Sequence, residues 1–216
     1  MAAGEAISSP TLTDEERREL GSVITSESTR LSRLIDNLLD LSRLEGGAAE
    51  PRPQWCSIEE VINAAVDDLR LSPARFSLSL DPDMPLVRAD AAQLERAFAN
   101  LLENGARYSG GHPVSVRARV TGGRLLVRVV DRGPGIPPAQ RDRVFEPFYR
   151  AGSESAGHRG SGLGLAIVRG FVETNGGRVW AESLPGQGTS FVVEFPAELL
   201  AADAPRVDAA ASGGLS

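Results

Sequence analysis

Apolar residues recur at three- and four-residue spacing early in the chain, as Leu20, Val23, Ile24, Leu31, Leu34, Ile35, Leu38, Leu41 and Leu44. That spacing predicts one amphipathic helix of roughly thirty residues with a single apolar stripe. Thr13-Asp14-Glu15-Glu16 has the Ser/Thr-x-x-Glu form of a capping box and marks its start. Gly46-Gly47 stop it, and Pro51 and Pro53 hold the next stretch extended. So long a helix is not stable alone and must bury its stripe, either within one globule or as part of a helical hairpin or dimer.

Beyond residue 56 the pattern becomes mixed. Ser57 is placed to cap a helix running to about Leu69, and residues 76–80 and 86–89 alternate as strands. Asp90, with Gln93 three residues later, opens a helix carrying Asn100 and Asn104. Residues 114–120 and 125–130 form an antiparallel hairpin through Thr121-Gly122-Gly123. A short helix over 138–144, a helix over about 162–173 and strands over 179–183 and 190–195 complete the pattern. This alternation predicts an α+β fold, an α/β sandwich with a mixed, mostly antiparallel sheet covered by helices on one face and preceded by the long amphipathic helix. The expected units are a helix over 13–46, a linker over 47–56, the sandwich over 57–197 and a disordered tail over 198–216, where almost nothing is available to bury.

Composition narrows the chemistry. A net charge of −6 argues against a nucleic-acid surface, so no nucleic-acid partner is expected. Cys56 is the single cysteine, which excludes an internal disulfide and a thiolate zinc site and reads as a bystander in a reducing compartment. The apolar runs are too short to span a bilayer and no signal segment opens the chain, so a cytoplasmic location is expected. All 23 basic residues are arginine, so any cation at a phosphate must be Arg.

Four segments carry the candidate chemistry. Asn100-Leu101-Leu102-Glu103-Asn104 places two amide oxygens on one helix face, with Arg107 and Tyr108 a turn further on. Such oxygens are hard ligands suited to Mg²⁺ bridging nucleotide phosphates, although Asn100 could equally hydrogen-bond locally. Asp131-Arg132-Gly133-Pro134-Gly135 ends a strand in a tight turn. Its carboxylate can accept from an exocyclic amine, which favours adenine over guanine; the same pattern is often only a turn. Gly160-Ser161-Gly162-Leu163-Gly164-Leu165 precedes an apolar helix, so backbone N–H groups and a positive helix end converge where phosphates could sit. Its spacing is wrong for a Rossmann site, and the Lys-Ser/Thr of a P-loop is absent. Gly186-Gln187-Gly188-Thr189 closes the series. Residues 151–159 form a polar, glycine-bearing stretch suited to a lid, in which His158 reads as a solvated loop residue.

In this order, and with Phe145-Glu146-Pro147-Phe148-Tyr149-Arg150, these segments resemble the catalytic ATP-binding domain of sensor histidine kinases, in the class shared with gyrase, Hsp90 and MutL. The match covers about residues 55–196. The helix ending Arg30-Leu31-Ser32-Arg33-Leu34-Ile35-Asp36-Asn37-Leu38-Leu39-Asp40-Leu41-Ser42-Arg43-Leu44-Glu45 resembles the second helix of the dimerisation hairpin of these kinases. Trp55 before Glu59-Glu60-Val61, and Gly170-Phe171-Val172-Glu173, resemble Kdp-type potassium-sensing kinases most.

The resemblance implies ATP and Mg²⁺ as ligands. Asn104, with Asn100, would ligate the metal; Arg107 would stand at the phosphates and Tyr108 against the nucleotide. Asp131 would read adenine, Gly133, Gly135 and Ile136 would shape its pocket, and Thr189 would hold a water near the base. Gly160, Gly162, Leu163, Gly164 and Leu165 would form the phosphate loop, with Phe148 in the segment that positions the lid and Arg150 contacting the partner domain. Glu103 is a candidate for orienting or deprotonating an incoming histidine, and reads equally well as a solvated helix carboxylate.

The family's phosphoacceptor histidine lies on the first hairpin helix. This chain has only His112, in a loop, and His158, and neither fits. The expectation is therefore a piece of a longer kinase, with residues 1–12 the remnant of the first helix and its turn. It would bind Mg-ATP without labelling itself, and would phosphorylate a histidine on another segment. The implied partners are the histidine-bearing hairpin, a response regulator and, in the parent, a second copy in a homodimer anchored at the cell membrane. The alternative is a nucleotide-binding but non-catalytic regulatory module acting through its helix. Anti-sigma serine kinases and gyrase-type ATPases fit less well, because the ATPases carry a catalytic Glu where Asn100 stands and neither group has the leucine-rich hairpin helix.

Overall fold

The computed structural model describes residues 13–69, 72–150 and 161–200. The expected first-helix remnant, the lid, Gly160, His158 and most of the expected tail lie outside the described residues.

Helix α1, Asp14–Glu45, starts at a formed capping box, in which Thr13 Oγ1 accepts the Glu16 N–H at 3.3 Å and Glu16 Oε2 accepts the Thr13 N–H at 2.8 Å. Its last turns pack on the sandwich. Leu41 is buried, and a Cβ built on Gly170 would stand 2.5 Å from Leu44 Cδ1, so the missing side chain makes the seat for Leu44. The rest of the stripe divides from these residues. Leu31, Ile35 and Leu38 remain 57%, 58% and 54% exposed, and Val23, Leu34 and Leu39 are exposed beside them.

Among the described residues, the sandwich contains a five-stranded sheet and three α-helices. The strands are β2 (Phe76–Leu80), β4 (Val114–Thr121), β5 (Arg124–Val130), β6 (Arg178–Ser183) and β7 (Thr189–Phe195), in spatial order β2-β4-β5-β7-β6. β2 runs parallel to β4, and every other pairing is antiparallel. The period-two pattern decides which face is covered. Val116, Ala118, Val127, Val129, Phe191, Val193 and Phe195 are buried under the helices, while Arg117, Arg119 and Arg124 are exposed on alternate positions. Helix α3 (Ala91–Tyr108) packs against both α2 (Ile58–Asp68) and α4 (Gly164–Thr174).

Two differences from the sequence-based expectation have local causes. Residues 138–144 form two 3₁₀ turns, Pro138–Gln140 and Arg143–Phe145, instead of one helix. Pro137 and Pro147 bound a stretch too short to propagate an α-helix. Within 47–56, β1 (Gln54–Cys56) pairs antiparallel with β3 (Val87–Ala89) in a second, two-stranded sheet. Three residues are too few for alternation to be visible in sequence.

Candidate nucleotide site

Helices α3 and α4 are fixed to one another by a buried amide. Asn175 Oδ1 accepts the Asp90 N–H at 2.7 Å, and its Nδ2 donates to Gln93 Oε1 and to the Phe171 carbonyl, both at 2.8 Å. Asp90 caps α3 through Gln93 N–H, so the start of α3 and the end of α4 are held together. Between α3, the start of α4, the ends of β5 and β7, and α1 lies a cavity of about 670 Å³.

One end of the cavity is built around Asp131. Its Oδ1 accepts the Gly133 N–H at 2.8 Å and the Thr189 N–H at 3.2 Å, leaving Oδ2 for the cavity that Asp131 lines. Burial pushes the Asp131 carboxyl above its ordinary pKa, against the pull of those two N–H groups. Gly135 has φ +76°, and a Cβ there would collide with the Leu184 carbonyl. Gly188 has φ +81°, and a Cβ there would meet the backbone of Asp131. Ser183 accepts the Ile136 N–H at 2.7 Å and donates to the Gly188 carbonyl at 2.7 Å, so the 3.1 Å contact from Thr189 is a donation to Ser183. The Thr189 hydroxyl therefore offers only lone pairs to the cavity.

The other end is polar. Asn100 Nδ2 donates to the Arg96 carbonyl at 3.1 Å, and a Cβ on Gly164 would stand 2.9 Å from Asn100 Oδ1. The local hydrogen bond and the ligand role are thus compatible, because the amide is oriented with its oxygen at the start of α4. Gly162 takes φ +75° with its Cα against the Phe148 backbone, and the Phe148 N–H donates to the Gly162 carbonyl at 2.9 Å. Glu103 is held between two guanidiniums, with Arg107 at 2.8 Å and Arg33 of α1 at 3.6 Å.

Asn100, Glu103, Asn104, Arg107, Tyr108, Asp131, Gly135, Ile136, Gly162, Gly164, Leu165 and Thr189 all line the cavity. Among the described residues, three expected ones do not. Gly133 acts through its N–H on Asp131 and its close approach to the Tyr108 carbonyl, Leu163 is buried as the residue before α4, and the Phe148 side chain is 65% exposed at φ +62°. Tyr149 and Arg150 line the cavity where Phe148 does not. The sequence also gave no sign that α1 contributes Arg30, Arg33, Leu34 and Asn37 to its wall. Only a contact between segments far apart in the chain puts them there.

A buried carboxylate at one end and a helix N-terminus beside an asparagine at the other, joined by one cavity on a sandwich, are an arrangement suited to a nucleotide. Residues 89–199 match the family described as histidine kinase-, DNA gyrase B- and HSP90-like ATPase, and residues 2–47 match the His Kinase A (phospho-acceptor) domain. The chain is 38% identical over 167 residues to the sensor protein KdpD of Escherichia coli, covering 76% of this chain and 19% of that protein. A crystal structure of full-length ShkA in complex with AMPPNP superposes with TM-score 0.69 at 28% identity, over 90% of this chain and 41% of that one. The mycobacterial sensor histidine kinase MprB matches with TM-score 0.56 at 34% identity, over 68% and 96%. The chain belongs to the sensor histidine kinases of the HATPase family, with Kdp-type sensors among its relatives. It spans about a fifth of the length of the KdpD proteins. Residues 2–47 contain no histidine. No described helix is long and apolar enough to cross a membrane.

Proposed function

We propose that the chain binds Mg-ATP and presents its γ-phosphate for transfer to a histidine on another segment or chain. The observation that carries this reading is the cavity itself, which joins Asp131 at one end to Asn100 and the start of α4 at the other. Asp131 Oδ2 accepts the exocyclic amine of adenine, while Gly135 leaves room for the base. Backbone N–H groups at the start of α4 and the Arg107 guanidinium take the phosphates.

The residues present fit Mg²⁺. Asn100 has its oxygen oriented toward the phosphate end by the bond to Arg96, and Asn104 lies one turn further on the same face. Among the described residues no cluster of three or more His, Cys, Asp or Glu could hold a metal, which suits an ion held by one or two protein oxygens together with phosphates and water. Bound there, Mg²⁺ would neutralise phosphate charge during phosphoryl transfer. Glu103 would orient or deprotonate the incoming imidazole once its arginine partners shift to phosphate.

The exposed face of α1 is the dimerisation surface in this reading, covered by a histidine-bearing helix and a second copy, with a response regulator as final phosphate acceptor and a membrane-anchored parent. The absence of histidine from residues 2–47 favours one second reading, a nucleotide-binding module that regulates through α1 without transferring phosphate. Adding a histidine-bearing hairpin and radiolabelled ATP separates the two: acid-labile label on the hairpin supports the kinase, and ATP binding without label supports the regulator.

A further inference from the structure

The phosphate end of the cavity has a wall that does not belong to the ATP-binding domain. Helix α3 sets the direction. Its end lies at the base site, where the Tyr108 carbonyl approaches Gly133 and Ser109 Oγ accepts the Arg132 N–H at 3.2 Å. Asn100, about 12 Å back along the helix, lies at the start of α4. Arg33 reaches Glu103 at this second end, and it also lines the smaller neighbouring cavity together with Asn100 and Glu103.

Arg33, Asn37, Asp40 and Leu44 share one face of α1 by their spacing. The lower half of that face is anchored: Asp40 lies 2.7 Å from Arg96 Nε, and Leu44 sits on Gly170. The anchor fixes where the upper half stands. Arg30, which also lines the cavity, is paired with Glu27 of its own helix at 2.9 Å. Arg33 instead shares Glu103 with Arg107 and is the more weakly held of the two, at 3.6 Å against 2.8 Å. One carboxylate between two guanidiniums leaves that trio positively charged, on the side of the cavity where phosphates would arrive.

We propose that Arg33 is a phosphate-binding residue supplied in cis by α1, which exchanges Glu103 for the terminal phosphates when ATP binds. The idea rests on the nucleotide reading given above and extends it. The dimerisation helix contributes directly to triphosphate affinity, and ATP in turn holds that helix docked. A guanidinium suits the role because it can give two N–H groups to one phosphate.

The experiment measures Kd for Mg-ATP by calorimetry and for adenosine by NMR titration, in the full chain and in Arg33→Ala, Arg33→Lys and Asp40→Ala. Arg33→Ala is expected to weaken Mg-ATP roughly tenfold and adenosine by less than about twofold, because only the first has phosphates to lose. Arg33→Lys should restore part of the loss, and Asp40→Ala should weaken Mg-ATP in the same direction, to a smaller extent, by loosening the helix. Equal losses for both ligands would show that Arg33 is only a wall, and no loss for either would show that it is only an ion-pair partner of Glu103; each overturns the proposal. If the unaltered chain binds adenosine and ATP equally, Arg33 has no phosphate role. If it binds neither, the nucleotide reading falls and this one with it.

Discussion

Asp40 on α1 is 4% exposed and lies 2.7 Å from the Nε of Arg96 on α3, whose side chain is 44% exposed. The pair joins the long helix to the nucleotide domain one turn before Asn100. Its two halves are not equivalent. Removing Arg96 leaves a buried carboxyl with only the distant Arg43, at 4.0 Å, whereas removing Asp40 leaves a guanidinium that can turn to water.

Arg96→Ala should therefore undock α1 more than Asp40→Ala does, by about 2 kcal/mol against about 1 kcal/mol. Hydrogen exchange of the α1 amides is the measurement, and equal protection in both variants would contradict the asymmetry. Burial raises the Asp40 carboxyl above its ordinary value of 3.8 in the folded chain. The folded state then binds protons more readily than the unfolded one, so the Asp40 contribution to stability grows as pH falls from the folded value toward 3.8. In Arg96→Ala the docking lost at neutral pH should partly return in that direction, since a protonated Asp40 needs no cation.

Glu103 can be tested apart from ATP binding. With Arg33 and Arg107 both on it, the carboxylate would compete with phosphate for two cations under the proposed binding mode. Glu103→Gln is expected to leave Mg-ATP affinity unchanged or tighter, while transfer to a histidine hairpin supplied in trans falls about a hundredfold. Unchanged transfer would reduce Glu103 to an ion-pair partner, the solvated carboxylate that the sequence equally allowed.

Gly188 gives a backbone test of the base site. At φ +81°, with a Cβ directed at the Asp131 backbone, neither a side chain nor a rotamer change relieves the collision. Gly188→Ala should cost more than about 2 kcal/mol and displace Asp131, so that Tm and ATP affinity fall together. Gly186→Ala is the control, because a Cβ there meets nothing within 4 Å and only its φ of +78° opposes the change. It should lower Tm less and spare the ATP site.

Those elements that announce themselves locally were legible in the sequence. Asp90 with Gln93 marked the start of α3, Gly122-Gly123 marked the β4–β5 turn, and the period-two runs marked the buried sheet face. The glycine segments and the two asparagines identified the cavity because the chemistry of each depends on neighbours a few residues away. The α1 wall was not legible. Asp40 and Arg96 are 56 positions apart, and a leucine stripe does not say that Leu41 and Leu44 turn inward while Leu38 stays out. Which side chain of Phe148-Tyr149-Arg150 faces the cavity was not legible either: Gly162 approaches the Phe148 backbone, the Phe148 ring is exposed, and Tyr149 lines the cavity.

Both backbone N–H groups that reach the Asp131 side chain fall on Oδ1, at 2.8 and 3.2 Å. In Asp131→Asn the amide oxygen must take that position, since Nδ2 there would face two donors and leave them unsatisfied. The amide nitrogen then replaces Oδ2 at the cavity, and an acceptor becomes a donor. In the proposed binding mode adenine presents its exocyclic amine to this group, so donor would meet donor, and Mg-ATP affinity should fall about a hundredfold. Guanine presents a carbonyl oxygen and should lose much less or gain, so the ATP-to-GTP preference narrows or reverses. The raised carboxyl pKa adds a pH signature. Protonation of Asp131 also converts the acceptor to a donor, so ATP binding to the unaltered chain should weaken on acidification, beginning above pH 3.8, while Asp131→Asn shows no such dependence. Competition titrations with ATP and GTP at two pH values measure both effects. An unchanged base preference in Asp131→Asn would show that Asp131 only ties the turn to β7 and does not read the base.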